Sequence, residues 1–341
     1  FIFVAIVSYR KMKNRGVVAE CLRGRFGRCS HFARIGEGSL GGKGRGLAFL
    51  DRMIKKVREE EIEHADLLHI PKTLVLCTDI FDEFMETNDL YGIAMSDISD
   101  EEMLACFLRG RLPHRLLADL EVFIDVVKSP LAIRSSSLLE DSHYQPFAGI
   151  YSTYMIPYDE DKYCRLEMLS NAIKSVYASV YFRGSKDYMT ATSNVIDQEK
   201  MAVILQEVVG QQYGTRFYPN VSGVARSVNY YPIGEEKAEE GTVSLAMGLG
   251  KYIVDGGTSL RVCPYHPTQV LQRSEMEIAL RDTQTNFFAL ETSLKKDENG
   301  NKEKALFQVD DGFNLVKVPV RDAEKDGSLQ WICSTYDPVD Q

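Results

Sequence analysis

Residues 39–56 read SLGGKGRGLAFLDRMIKK and set Gly41, Gly42, Gly44 and Gly46 around Lys43, directly ahead of an amphipathic run. Glycines at a helix start leave backbone N–H groups bare, and beside an ammonium those donors compose an anion site. The spacing is not that of a P-loop, because Lys43 is followed by Gly44 and no hydroxyl is offered to magnesium. It also lacks the G-x-G-x-x-G turn of dinucleotide binders. A structural glycine turn accounts for the same residues on composition alone.

A second stretch, LAIRSSSLLEDSHYQPFAGIYSTY from residue 131, places Arg134 at the end of an apolar run, followed by Ser135, Ser136 and Ser137 and then Glu140 and Asp141. A guanidinium at a strand end can fork onto phosphate oxygens while its stem packs, and neighbouring hydroxyls complete the cradle. Ser137 also suits the N-cap of LLED, and the two readings are compatible.

These groups need elements to hold them. Leu47, Leu50, Ile54 and Val57, with Met53, recur at helical spacing behind the glycines. TLVLC (73–77) reads as a buried strand, and Thr78 with Asp79 and Asp82 supplies an N-cap and an acidic first turn. Ser99 and Glu102 have capping-box spacing, Pro113 opens a further helix, and a long helix is built on Leu166, Leu169, Ile173, Val176 and Val180. MAVILQEVV (201–209), SGVARSVNY (222–230), TVSLAMGLG (242–250) and LFQV (306–309) read as strands, with a charged loop at KKDENGNKEK (295–304). The pattern predicts an α+β fold: a basic lead-in over 1–35, a first lobe over 36–200 and a strand-rich second lobe over 201–341.

The 341 residues carry a net charge of -9, with 44% hydrophobic and 26% charged residues. Such a balance belongs to a folded soluble protein and opposes general affinity for nucleic acid or anionic membrane. Any phosphate site is therefore local. Seven cysteines without a C-x-x-C pair suggest neither a disulfide framework nor a zinc cluster, and fit a reducing cytoplasm. FIFVAIV is too short to span a bilayer. A chain that opens on Phe1 is expected to be part of a longer protein.

GGKGRGLAFL, AIRSSSLLEDS with PFAGIYSTY, AVILQEVV, SGVARS and GLGKYIVDGG, in this order, resemble the N-terminal ATP-binding module of the phosphoenolpyruvate synthase and pyruvate phosphate dikinase family. The resemblance implies an ATP-grasp-like fold, two lobes enclosing a nucleotide cleft. It also implies a phosphotransferase that passes a phosphoryl group from ATP to a histidine on a separate domain. The expected partners are that phosphohistidine domain and a pyruvate/phosphoenolpyruvate domain, downstream or in trans.

By the same resemblance Lys43 and Arg134 contact phosphate, with Gly41, Gly42, Ser135 and Ser136 beside them. Backbone groups around Gln206, Glu207 and Val209 bond adenine, and Arg226 and Arg261 add positive charge. Mg²⁺ is the implied cofactor, but Lys251 stands where the family usually carries Glu; Glu207, Asn229, Asp255 and Glu140 are candidates to fill the metal shell, Asn229 and Glu140 foremost. None of the six histidines lies in the T-G-G-x-x-S-H setting expected of the acceptor. A nucleotide-sensing module that no longer transfers phosphate is the alternative.

Overall fold

Runs rich in Val, Ile and Leu, at TLVL, LAIRSSS and MAVILQE, form the centre of a six-stranded sheet. The computed structural model describes residues 19–20, 31–60, 62–137, 149–191, 199–273, 275–293 and 314–329. The strands of this sheet are β1 (Ala19–Glu20), β2 (Phe32–Ile35), β3 (Thr73–Leu76), β4 (Leu131–Ser137), β5 (Thr153–Ile156) and β6 (Met201–Glu207). Their order is β1-β2-β3-β6-β4-β5, parallel from β1 to β3 and antiparallel beyond.

The chain divides into two units between Val208 and Val209. The stretch from 201, expected to open the second lobe, instead supplies a central strand of the first unit. The reason is pairing: β6 is bonded on one side to β3 and on the other to β4. The end of the basic lead-in likewise enters this sheet as β2.

Helix α1 (Gly41–Glu59) covers one face of the sheet, where Leu40, Leu47 and Ala48 pack on Phe32, Val75, Ala202 and Ile204. Its buried residues are Gly41, Gly42 and Gly44, so the helix approaches the sheet through the glycines of its first turn. The apolar stripe is correspondingly loose. Leu50, one of the apolar positions at helical spacing, is 51% exposed, whereas Leu47 packs on the sheet.

Against the other elements of this unit stand α2 (Thr78–Thr87), α3 (Tyr91–Ala94), α4 (Asp100–Arg109), α5 (His114–Val126), α6 (Lys162–Ser179) and α7 (Arg183–Ala191). Phe81 and Phe84 of α2 meet Tyr177 of α6 at ring separations of 5.0 and 5.4 Å, a core of interlocking aromatics. The predicted capping box forms, with Glu102 N donating to Ser99 Oγ and Ser99 N to Glu102 Oε2. Two buried cations on α6 end the neighbouring helices: Arg165 donates to the Ile124 and Val127 carbonyls and Lys174 to that of Leu108. Orphan carbonyls at a helix C-terminus are natural partners for such cations. Burial lowers the Lys174 pKa.

The second unit holds two antiparallel sheets. One is ordered β13-β12-β8-β7, from β7 (Gln211–Tyr213), β8 (Arg216–Tyr218), β12 (Asn286–Glu291) and β13 (Leu315–Pro319). Its core is Tyr218, Phe287, Ala289, Val318 and Ala323. The other is ordered β11-β10-β9, from β9 (Ser222–Arg226), β10 (Thr242–Ala246) and β11 (Leu260–Val262). The predicted LFQV strand and the loop at 295–304 lie outside the described residues. No described helix is long and apolar enough to cross a membrane.

Candidate functional site

The glycine loop enters α1 beneath the end of β4. Gly41 takes φ +67°, and a Cβ there would lie 1.7 Å from the Ser136 carbonyl oxygen. Only glycine tolerates both the left-handed backbone and that approach. Ser136 then ties the turn together, its hydroxyl donating to the Leu40 carbonyl at 2.8 Å and accepting from Gly44 N at 2.9 Å.

The expectation of bare backbone donors needs correction. Gly41 N donates to Ser39 Oγ at 3.1 Å, Ser39 N to Thr78 Oγ1 at 3.0 Å, and Glu37 N and Gly38 N to the two carboxylate oxygens of Asp79 at 3.0 and 2.9 Å. With Gly44 N, five donors of the loop are satisfied by side chains of the protein itself. The physical reason is the nearness of α2 and β4, whose hydroxyl and carboxylate oxygens reach the loop before any ligand does. The first turn of the helix, with Gly42 and Lys43, holds no acidic residue to oppose an anion.

Lys43 Nζ donates to Ser135 Oγ at 3.1 Å, which ties the loop ammonium to β4; Arg134, expected at the end of its strand, is instead the fourth of the seven residues Leu131–Ser137, because β4 stays paired with β6 through Ser137. Strand alternation and register put Arg134 and Ser136 on one face with Ile204, Gln206, Thr73 and Val75. Arg134 Nη1 donates to Gln206 Oε1 at 3.4 Å, Gln206 Nε2 donates to Thr73 Oγ1 at 3.0 Å, and Thr73 Oγ1 donates to the Pro71 carbonyl at 2.8 Å. The relay fixes the Gln206 amide with its oxygen toward the guanidinium. Sequence reading had used Gln206 for its backbone; its side chain acts here.

Beyond Gln206 the backbone is occupied up to the unit boundary. Glu207 N donates to the Lys72 carbonyl and Val208 N to that of Pro130, each at 2.9 Å, and the Glu207 carboxylate accepts the Ser129 hydroxyl at 2.7 Å. Val209, 58% exposed, follows the last of these bonds.

In the second unit Arg226 is exposed at the end of β9. Arg261 on β11 donates to Glu236 Oε2 at 2.7 Å, to Asn229 Oδ1 at 2.9 Å and to the Tyr231 carbonyl at 3.0 Å. Asn229 Nδ2 donates in turn to Glu236 Oε2 at 2.9 Å. The Arg261 bonds, helped by Asn229 and the Ile233 N–H, hold the Glu236 carboxyl down to about 2 despite its burial.

Asn229 is thus bonded at both ends of its amide, and Glu140 lies outside the described residues. Among the described residues no three His, Cys, Asp or Glu side chains gather in a metal-ligating group. The described residues do not compose a shell for Mg²⁺. Glu236 was missed by sequence reading; a lone carboxylate in a polar loop gives no signal before its partner is known.

Residues 37–321 match the family described as pyruvate phosphate dikinase, AMP/ATP-binding domain. Over 222 residues the chain is 26% identical to an uncharacterized phosphotransferase, YvkC, of Bacillus subtilis (strain 168). That match covers 62% of this chain and 22% of the relative's own length.

Proposed function

Because the chain belongs to the family of the pyruvate phosphate dikinase AMP/ATP-binding domain, we propose that it binds ATP and passes a phosphoryl group to a histidine on a separate domain. The observation that carries the reading is the contact of Lys43 with Ser135, which ties an ammonium to the strand residue that directly follows Arg134. Phosphoryl transfer asks a protein chiefly for positioned positive charge, because charge spreads over the equatorial oxygens of the moving group. Lys43 supplies a point charge and Arg134 a planar fork. The partly buried setting strengthens both.

Other residues take supporting roles. Gly42 and Lys43 offer the helix start to phosphate, Ser135 and Ser136 hold the loop, and the backbone from Val209 meets the adenine edge. Arg226 is a further phosphate cation. Arg261 and Asn229 are assigned to the framework of the second unit, since Glu236 already engages both. An ATP-grasp-like fold, accompaniment of the triphosphate by Mg²⁺, and service to phosphoenolpyruvate synthesis from pyruvate belong to the same reading. So do a downstream or separate phosphohistidine domain and a cytoplasmic setting.

One observation favours a second reading, a nucleotide sensor without transfer. Lys251, where relatives usually carry Glu, pairs with Asp255 at 3.3 Å and so places a cation at that position. ATP labelled separately at the β and γ positions, incubated with the full reading frame, separates the two. Label on a protein histidine is the expected result. ATP bound with neither label transferred, in the presence of a histidine-bearing domain, would leave the sensor.

A further inference from the structure

The loop ahead of the glycine helix is held from a helix that contributes nothing to phosphate binding in the reading above. Asp79, in the first turn of α2, accepts Glu37 N at 3.0 Å on one carboxylate oxygen and Gly38 N at 2.9 Å on the other. Its neighbour Thr78 accepts Ser39 N at 3.0 Å, and Arg34 of β2 donates to the Gly36 carbonyl at 3.1 Å. Four consecutive residues, Gly36 to Ser39, are therefore bonded one after another to side chains. The fit is close: Gly36 takes φ +96°, and a Cβ there would stand 2.4 Å from Asp79 Oδ1. Consecutive N–H groups of this kind form a concavity that attracts an anion, and here a protein carboxylate fills it.

Two consequences follow. Phosphate cannot use the Glu37 and Gly38 donors, so any ligand must be read further along, at Gly42 and Lys43. The chain also runs only four residues from Ser39 to Lys43, which leaves the ammonium little freedom once Ser39 is fixed at one end and Ser135 receives the amine at the other. Preorganised cations stabilise charge without reorganising at the moment of reaction, and a displacement near 1 Å is costly.

We propose that Asp79 and Thr78 are positioning residues: they clamp the loop at Gly36–Ser39 so that Lys43 meets the ATP phosphates in place. This inference rests on the phosphate role given to Lys43. It adds a dependence of that role on α2 which no comparison supplies.

The test is a cycle of ATP titrations by calorimetry on the full chain, with Asp79→Asn, Lys43→Ala and the double variant, and Thr78→Val as the second probe of the clamp. Amide hydrogen exchange at Glu37 and Gly38 is followed in parallel. Asp79→Asn keeps the side-chain shape but turns an amide toward a backbone donor, so both amides should exchange at least 10-fold faster. ATP should bind about 10-fold more weakly, and Thr78→Val should weaken it about 3-fold. In the Lys43→Ala background the Asp79→Asn penalty should shrink below 3-fold.

Unchanged ATP affinity in both clamp variants would overturn the proposal, as would a full Asp79→Asn penalty surviving without Lys43. If Lys43→Ala itself bound ATP as the unaltered chain does, the phosphate reading would fail, and the clamp's functional role with it. If Lys43→Ala weakens binding and Asp79→Asn does not, the clamp alone fails.

Discussion

Lys43 and Ser135 are 92 positions apart in sequence, yet the lysine amine donates to the serine hydroxyl at 3.1 Å. The contact joins the two stretches that looked phosphate-binding separately. Ser135 is fully buried, so its hydroxyl gives the ammonium a fixed point rather than one mobile acceptor among many.

Removing that fixed point should matter less than removing the charge. Ser135→Ala is expected to weaken ATP binding by about 1 kcal/mol, the net worth of one hydrogen bond, or roughly 5-fold in Kd. Calorimetry decides, and a loss as large as that in Lys43→Ala would mean that Ser135 itself touches the ligand.

Gln206 holds Arg134 through one long bond and is held by Thr73. Gln206→Leu should therefore cost about 1 kcal/mol of ATP affinity, while Arg134→Lys should recover little of the loss in Arg134→Ala because a lysine cannot fork. Equal affinity for Arg134→Lys and the unaltered chain would show that the fork is not used.

Two glycines of one helix should behave oppositely. Gly41→Ala forces a positive φ on alanine and drives a methyl into the Ser136 carbonyl, so it should cost roughly 3 kcal/mol or more. Gly46 has no atom within 4 Å of a Cβ and is exposed, and Gly46→Ala should stabilise by up to about 1 kcal/mol. Thermal unfolding of the two variants reads the contrast.

Acid should loosen the second unit through Glu236. Its carboxyl lies at about 2 in the folded chain against an ordinary 4.5, so its contribution is complete above pH 4.5 and is lost as pH falls toward 2. Glu236→Gln leaves the Arg261 charge without its partner and should cost about 3 kcal/mol at pH 7. The gap between the variant and the unaltered chain, followed by denaturant unfolding, should narrow between pH 4.5 and pH 2. A gap that stays constant over that range would exclude the carboxylate as its source.

Much of the fold was legible because it is local. Ser99 and Glu102 announce a capping box three residues apart, and TLVL and MAVILQE announce strands by their branched apolar runs. The site was legible in its cations and glycines, but not in its satisfaction. Nothing near Gly36 in sequence says that Asp79, 43 positions later, is the partner of the next two amides, because that pairing depends on β2 and β3 lying side by side. Thr78 was read as an N-cap; Cys77 holds that place, and the threonine hydroxyl is spent on Ser39. Arg261 and Asn229 were read by resemblance as facing phosphate and metal, and their bonds to Glu236 appear only once β11 and the loop after β9 are folded together.

The central claim is that Lys43 and Arg134 act on one triphosphate. ATP titration calorimetry on Lys43→Ala, Arg134→Ala and the double variant tests it most directly. Each single change should weaken binding by about 2–4 kcal/mol, and the double variant should lose clearly less than their sum, because two cations that share one ligand are coupled. Affinities unchanged in the single variants, or losses that add in full, would contradict it.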